Sequence, residues 1–292
     1  MDKKGILFGV GAYLTWGLFP IYWKWLHIVP ALQLIGHRII WSFIMLMIVI
    51  FIRKEWNQFR ALASSRKTLM IYIIAGILIG TNWGIYVWSV NAGYIVETSL
   101  GYFINPLVSV MFGVIFFRER LRPMQWIPVI IAAGGVIYLA VEFGSLPWIA
   151  LSLAASFGLY GLVKKLSPLN SLYGLTLETG ALLIPALIYL SVMEISGAGY
   201  FLHNGITLDL LMIGAGAVTT IPLLMFASAA RSIPLSMVGI LQYIAPTMQF
   251  LLGVFVYGEP FTHVQLIGFS IVWFALILFG VEGFIASRKN NP

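Results

Sequence analysis

Two stretches of the chain repeat one pattern: residues 97–117, ETSLGYFINPLVSVMFGVIFF, and residues 236–256, SMVGILQYIAPTMQFLLGVFV. Each is an apolar run long enough, as a helix, to cross the ~30 Å of hydrocarbon in a bilayer. Each also holds one proline, Pro106 or Pro246, within a residue of its centre. Sliding the sequence by the 140 positions between the prolines aligns 71–142 with 211–282 without a gap and gives 14 identities in 72 positions. They include residue types that are scarce here: Gly113 with Gly253, Glu119 with Glu259, Gln125 with Gln265 and Glu142 with Glu282. Upstream, at an offset of 141, Trp16-Gly17-Leu18 meets Phe157-Gly158-Leu159.

Composition sets the solvent. Of 292 residues 60% are apolar and 9% are charged, against about 25% charged in a soluble domain. So few charges cannot cover a water-soluble fold. Apolar runs fall at 5–26, 32–52, 70–91, 97–117, 124–141, 147–163, 172–193, 208–229, 236–256 and 263–285. The sequence therefore predicts an all-α integral membrane protein of ten transmembrane helices. Five helices per repeat is an odd number, so the second copy enters the membrane from the other side. The expected architecture is two inverted-topology halves, 1–145 and 146–292. Such repeats mark secondary transporters, in which the halves rock about a central site.

The connections carry the topology signal. Of the 17 Lys and Arg, all but Lys24 and Arg38 fall on one side when the loops are assigned alternately, which puts both termini in the cytoplasm. This scattering over short connections also argues against nucleic acid, because no basic groove forms. Residues 1–26 read as a first span and not as a cleaved signal, since the run is long and ends in Tyr22-Trp23-Lys24-Trp25. The absence of cysteine removes disulfides, thiolate metal sites and a Cys nucleophile. The four His do not have the spacing of a ligand set, so neither metal nor cofactor is expected. No G-x-x-x-x-G-K-[ST] loop offers ATP as a direct energy source, and neither G-x-S-x-G nor H-E-x-x-H supports the rival reading of a membrane enzyme. A passive channel or a lipid flippase is the other alternative to a carrier.

The expected site lies at the paired kinks. A proline in a helix frees the carbonyl four residues earlier, here those of Tyr102 and Gln242. Thr98, Tyr102, Asn105 and Ser109 share one face of their helix, and Gln242, Tyr243 and Gln249 surround the second kink. Asn82 and Tyr86 form a polar pair on the third helix, where Gly76, Gly80 and Gly84 would let a neighbour approach closely. Trp16, Trp83 and Trp88 could stack on a flat or amphipathic solute. Charges inside a membrane are costly and usually functional, which singles out Arg38 and Glu178, again 140 apart. Three roles compete for them: a mutual salt bridge, substrate contacts, or gating and proton coupling. His37 could titrate near neutral pH, and Lys24 with Glu97 could close an outer gate.

Several of these stretches resemble a known family. Trp16-Gly17-Leu18-Phe19-Pro20-Ile21-Tyr22-Trp23-Lys24, His37-Arg38-Ile39-Ile40-Trp41-Ser42, Thr81-Asn82-Trp83 and Gly101-Tyr102-Phe103-Ile104-Asn105-Pro106-Leu107 look like the RarD subgroup of the EamA-type drug/metabolite transporters. The resemblance covers the whole chain in order. It implies a bacterial inner-membrane carrier, usually an exporter, with a central cavity lined by helices 1–4 and 6–9 and with helices 5 and 10 at the periphery. The expected partners are a small amphipathic or aromatic solute, the lipid bilayer and protons as a candidate coupling ion, in a monomer or homodimer. At Gln242 and Ala245 the second half departs from the first, so its wall need not bind the same groups.

Overall fold

The computed structural model describes residues 2–92, 94–142, 147–258 and 263–289, and their regular structure is helical. In chain order the helices are α1 (Lys3–Gly17), α2 (Phe19–Trp25), α3 (Ala31–Ile52), α4 (Trp56–Ala63), α5 (Arg66–Asn91), α6 (Ile95–Phe117) and α7 (Pro123–Glu142). Then come α8 (Trp148–Leu166), α9 (Ser171–Ile195), α10 (Ile206–Ser232), α11 (Leu235–Gln242), α12 (Ile244–Leu251), a π-helical turn at Leu252–Val256 and α13 (His263–Lys289). Among the described residues nine segments are long and apolar enough to cross a membrane, and Leu266–Glu282 within α13 is a shorter apolar helix. The protein is thus an all-α, multi-pass membrane protein. The expected junction between halves falls at 143–146, outside the described residues.

Three local features depart from ten simple rods. The first crossing breaks at Leu18 into α1 and α2, because Pro20 cannot bond back to Trp16 and its ring crowds that carbonyl. The crossing around Pro246 breaks at Tyr243, one residue past the carbonyl that this proline frees. At Pro106, by contrast, α6 runs on as one helix, packed against α8 and α11. The connection at 53–69 also contains a helix, α4, whose Phe59 is buried in a cluster with Ile50, Tyr72, Leu169 and Tyr173.

Packing runs between the two halves of the sequence. α1 lies against α10, α3 against α9 and α10, α5 against α8 and α9, α6 against α8 and α11, and α7 against α13. Glycine sets the closest approaches: a Cβ on Gly239 would stand 2.6 Å from the Pro106 carbonyl oxygen, and one on Gly76 2.9 Å from that of Glu178. Gly80 meets Leu182, whereas Gly84 has nothing within 4 Å, so only part of the expected glycine face is an interface. The core centres on Tyr13, Tyr160 and Phe226, with Tyr160 and Phe226 stacked at 5.8 Å. The outer surface shows large apolar side chains, among them Ile77, Ile115, Ile137, Ile188 and Phe255, the face a bilayer would cover.

The two ends of the bundle differ. At one, here called the basic end, Lys165 donates to the Ile233 carbonyl, Gly5 abuts Ser232 and Ile233, and Tyr173 donates to Glu55. Glu119 caps α11 there, accepting from the backbone N–H groups of Leu235 and Ser236 and from the Ser236 hydroxyl at 2.6–2.9 Å. At the opposite end Gln33 bonds Ala198 and Tyr200, and Tyr22 donates to the Leu211 carbonyl.

Candidate functional site

A cavity of about 330 Å³ occupies the bundle from mid-depth toward the end opposite the basic one. Its walls come from α1, α2, α3, α5, α6, α8, α10, α11 and α12. Aromatic rings dominate. Trp16 packs on Tyr13 at 5.5 Å and edge-on to Phe157 at 6.0 Å, and Tyr86 meets Tyr102 edge to face at 6.0 Å. One cation enters this wall: the Arg38 guanidinium carbon sits 4.9 Å from the Trp23 ring centre and 4.6 Å from that of Trp83. Its Nε donates to Thr219 Oγ1 at 2.9 Å. Among the described residues no carboxylate pairs with it.

Most of the polar lining is already committed. Asn82 spends its amide N–H groups on the Leu153 carbonyl and on Ser156 Oγ, both at 2.9 Å, and so pins α5 to α8. Thr98 bonds Ser89 and the Tyr94 carbonyl. Gln249 Nε2 donates at 3.2 Å to the Trp16 carbonyl, which is the carbonyl that Pro20 frees. Five buried side-chain atoms have no partner among the described residues: Trp41 Nε1 and Thr220 Oγ1 away from the cavity, and three more, the Tyr13 hydroxyl, Asn105 Oδ1 and Gln242 Oε1. The last three residues line the cavity.

Of the residues singled out in the sequence, the cavity gathers Trp16, Arg38, Asn82, Trp83, Tyr86, Tyr102, Asn105, Gln242 and Pro246. Tyr243, one position on from Gln242, points elsewhere: it is buried and donates to the Phe103 carbonyl at 3.3 Å. Pro106 faces a small crevice between α6, α7, α11 and α13. His37 packs at a tilt on Phe201 at 5.0 Å, and Lys24 lies 3.6 Å from the centre of the Tyr257 ring; neither lines the cavity. The side chain of Glu97 lies outside the described residues, and with it the expected Lys24–Glu97 gate. Tyr13, Trp23, Phe157 and Thr219 were not anticipated. Of these, Phe157 carried a signal, being the repeat mate of Trp16.

Glu178 is elsewhere as well, and it does not pair with Arg38. Lys164 Nζ donates to its Oε1 at 2.6 Å and Tyr160 to its Oε2 at 3.0 Å. Both members of the ion pair are about 1% exposed. Lys164, placed by the sequence among the loop cations, instead ends α8 with its side chain turned inward. A lysine one turn beyond Tyr160 on the same helix face was the available clue. The two intramembrane charges therefore have separate partners in separate halves of the bundle's depth.

Residues 3–141 match the EamA-like transporter family. The chain is 48% identical over 282 residues to "Uncharacterized transporter YojE" of Bacillus subtilis (strain 168), covering 95% of this chain and 93% of that protein. It is 42% identical over 288 residues to "Protein RarD" of Salmonella typhi, with 99% and 98% covered. A solved structure described only as "Crystal structure of protein" superimposes with a TM-score of 0.72 over 96% of this chain and 99% of that one, at 16% identity, a likeness of fold. Near-complete coverage at such identities places this chain in the RarD-type branch of the EamA-like transporter family, as a membrane transporter.

Proposed function

We propose that the protein is a secondary carrier that exports a small amphipathic or aromatic solute across a bacterial inner membrane by alternating access. The observation that carries this reading is the contrast in depth. The cavity fills one half of the bundle, while Tyr160, Lys164, Glu178 and Phe226 in the other half are about 1% exposed or less. Residues related by the repeat thus sit in opposite states, as one access state of a rocking bundle requires.

The proposed frame is ten helices in two inverted halves, 1–145 and 146–292, with both termini in the cytoplasm. Its support is the exchange symmetry of the contacts. Replacing each helix by its repeat mate turns α1–α10 into α8–α5, α3–α10 into α9–α5 and α6–α8 into α11/α12–α1. It returns α3–α9, α6–α11 and α7–α13 to themselves. The basic end then faces the cytoplasm, and the cavity faces outward. Counterflow in proteoliposomes, over a panel of amino acids and aromatic drugs with and without a pH gradient, tests the carrier. Saturable exchange that is accelerated by solute on the far side is expected. Flux that rises without saturation and shows no counterflow would instead indicate a channel.

A further inference from the structure

We infer that the solute held in this cavity is a small aromatic carboxylate that also carries a hydrogen-bond donor. This rests on reading the cavity as the transport site and goes on to name the chemistry it selects. The first ground is Arg38. A guanidinium at membrane depth is costly unless paired, and here its Nε is satisfied by a neutral hydroxyl while its carbon lies over two indoles. Among the described residues no hydrogen bond or ion pair occupies its two terminal nitrogens. With Nε engaged, those nitrogens present the end-on fork that matches the two oxygens of a carboxylate. A phosphate dianion would call for further cations, and Arg38 is the one cation in the described lining.

The second ground is independent of the charge. Asn105 Oδ1 and Gln242 Oε1 are acceptors on side chains 3% and 6% exposed, and neither has a donor among the described residues. Buried acceptors without partners are costly and rare. Here both residues line the cavity, next to the two prolines at mid-depth, so a solute N–H or O–H would satisfy them. Between the cation and these acceptors the walls are aromatic, which suits a flat ring. The volume of about 330 Å³ is at the low end of the roughly 300–1,000 Å³ of small-molecule sites, so a single-ring or two-ring metabolite fits better than a large drug.

A matched pair of probes tests this on the full-length protein in nanodiscs. 3-Phenylpropionate and 3-phenylpropionamide share ring and length and differ in the head group, a charged acceptor in one and a neutral amide with two N–H donors in the other, so a preference for the acid reports on Arg38 against any gain the amide makes at Asn105 and Gln242. Titration followed by calorimetry should show the carboxylate binding about 10- to 100-fold more tightly than the amide, the range of a charge-assisted, bidentate contact. Arg38→Met should bring the two affinities together, and Arg38→Lys should restore part of the difference. Equal affinities in the wild type, or no saturable binding of either probe, would overturn the inference. The wild-type comparison needs no variant to fold. Counterflow with the same probes separates this from the carrier reading. Selective, Arg38-dependent binding without counterflow would keep the ligand class and remove the carrier. Counterflow of both probes, unchanged in Arg38→Met, would keep the carrier and remove the ligand class.

Discussion

Arg38 and Glu178 occupy equivalent positions, 140 residues apart, and the protein treats them in opposite ways. Around Arg38 stand Trp23, Trp83 and a threonine hydroxyl, and a cavity opens beside them. Trp23 is the mate of Lys164 at an offset of 141, and Trp83 and Tyr86 are the mates of Leu223 and Phe226 at 140. At the second copy, therefore, the indole facing the charge has become an ammonium group. The charge is neutralised from within the chain, and the space closes over a stacked Tyr160–Phe226 pair. One half keeps a cation that has no counter-charge among the described residues; the other carries its own. In the proposed carrier cycle, opening the basic end would separate this buried ion pair, which would make the pair a latch in that half.

The latch is the place where the comparison breaks most visibly. Removing one partner, as in Glu178→Gln or Lys164→Met, strands the other charge in the core, and such losses cost about 3–5 kcal/mol. Thermal unfolding in detergent should fall sharply for either single variant. Replacing both by Met restores packing without stranding a charge, and by the same reasoning should recover most of the loss. Single variants as stable as the wild type would mean that water already hydrates the pair, and the distinction between an open and a sealed half would fail.

How much of this was legible in the sequence follows from the range over which each signal acts. Helix positions were readable because span length is a property of the chain alone. Partner choice was not readable. Arg38 and Glu178 are candidates for each other as intramembrane charges of opposite sign within reach of a long arginine, but a nearer cation, Lys164, takes Glu178. Lys164 was hidden because a lysine at a helix end normally snorkels to water, and only tertiary packing turns it inward. Tyr243 looked like Gln242 by adjacency, but one step of about 100° along a helix sends it to the α6–α13 side. Thr219 could not be found from its mate, Ile79, which has no polar group.

Glu119 provides a smaller test at the basic end. Burial there opposes ionisation of its carboxyl, but hydrogen bonds from Ser236 and Leu235, with Lys165 at 3.4 Å, outweigh this and hold the pKa below the ordinary 4.5. A depressed pKa in the folded state contributes stability that is complete above the ordinary value and is lost as pH falls through the lowered one. Glu119→Gln should therefore cost about 1–2 kcal/mol at neutral pH, less than the full strength of charged hydrogen bonds because water reaches the group in part. The difference from wild type should shrink progressively below pH 4.5. A constant difference across that range in thermal unfolding would show that the carboxylate charge is not what secures α11.

The smallest expected effect tests the open half at its hinge. Pro20 breaks α1 from α2 and frees the Trp16 carbonyl, and Gln249 reaches across from α12 to occupy it. At the matching place in the other half stands Gly161, and α8 runs unbroken. The open half therefore depends on a side chain from another helix for a bond that the sealed half makes within its own backbone. Gln249→Leu keeps the bulk and removes the donor, so the carbonyl is left to the cavity at a cost of about 1 kcal/mol. Stability should drop by that amount, and amide exchange should speed up at Leu18 and Ile21, whose N–H groups close the joint. The equivalent change on the sealed side, Ser109→Ala, should leave exchange along α8 unaltered, since no carbonyl there waits for a donor. If both variants loosened their helices equally, the break at Pro20 would be a local bend with no bearing on which half is open.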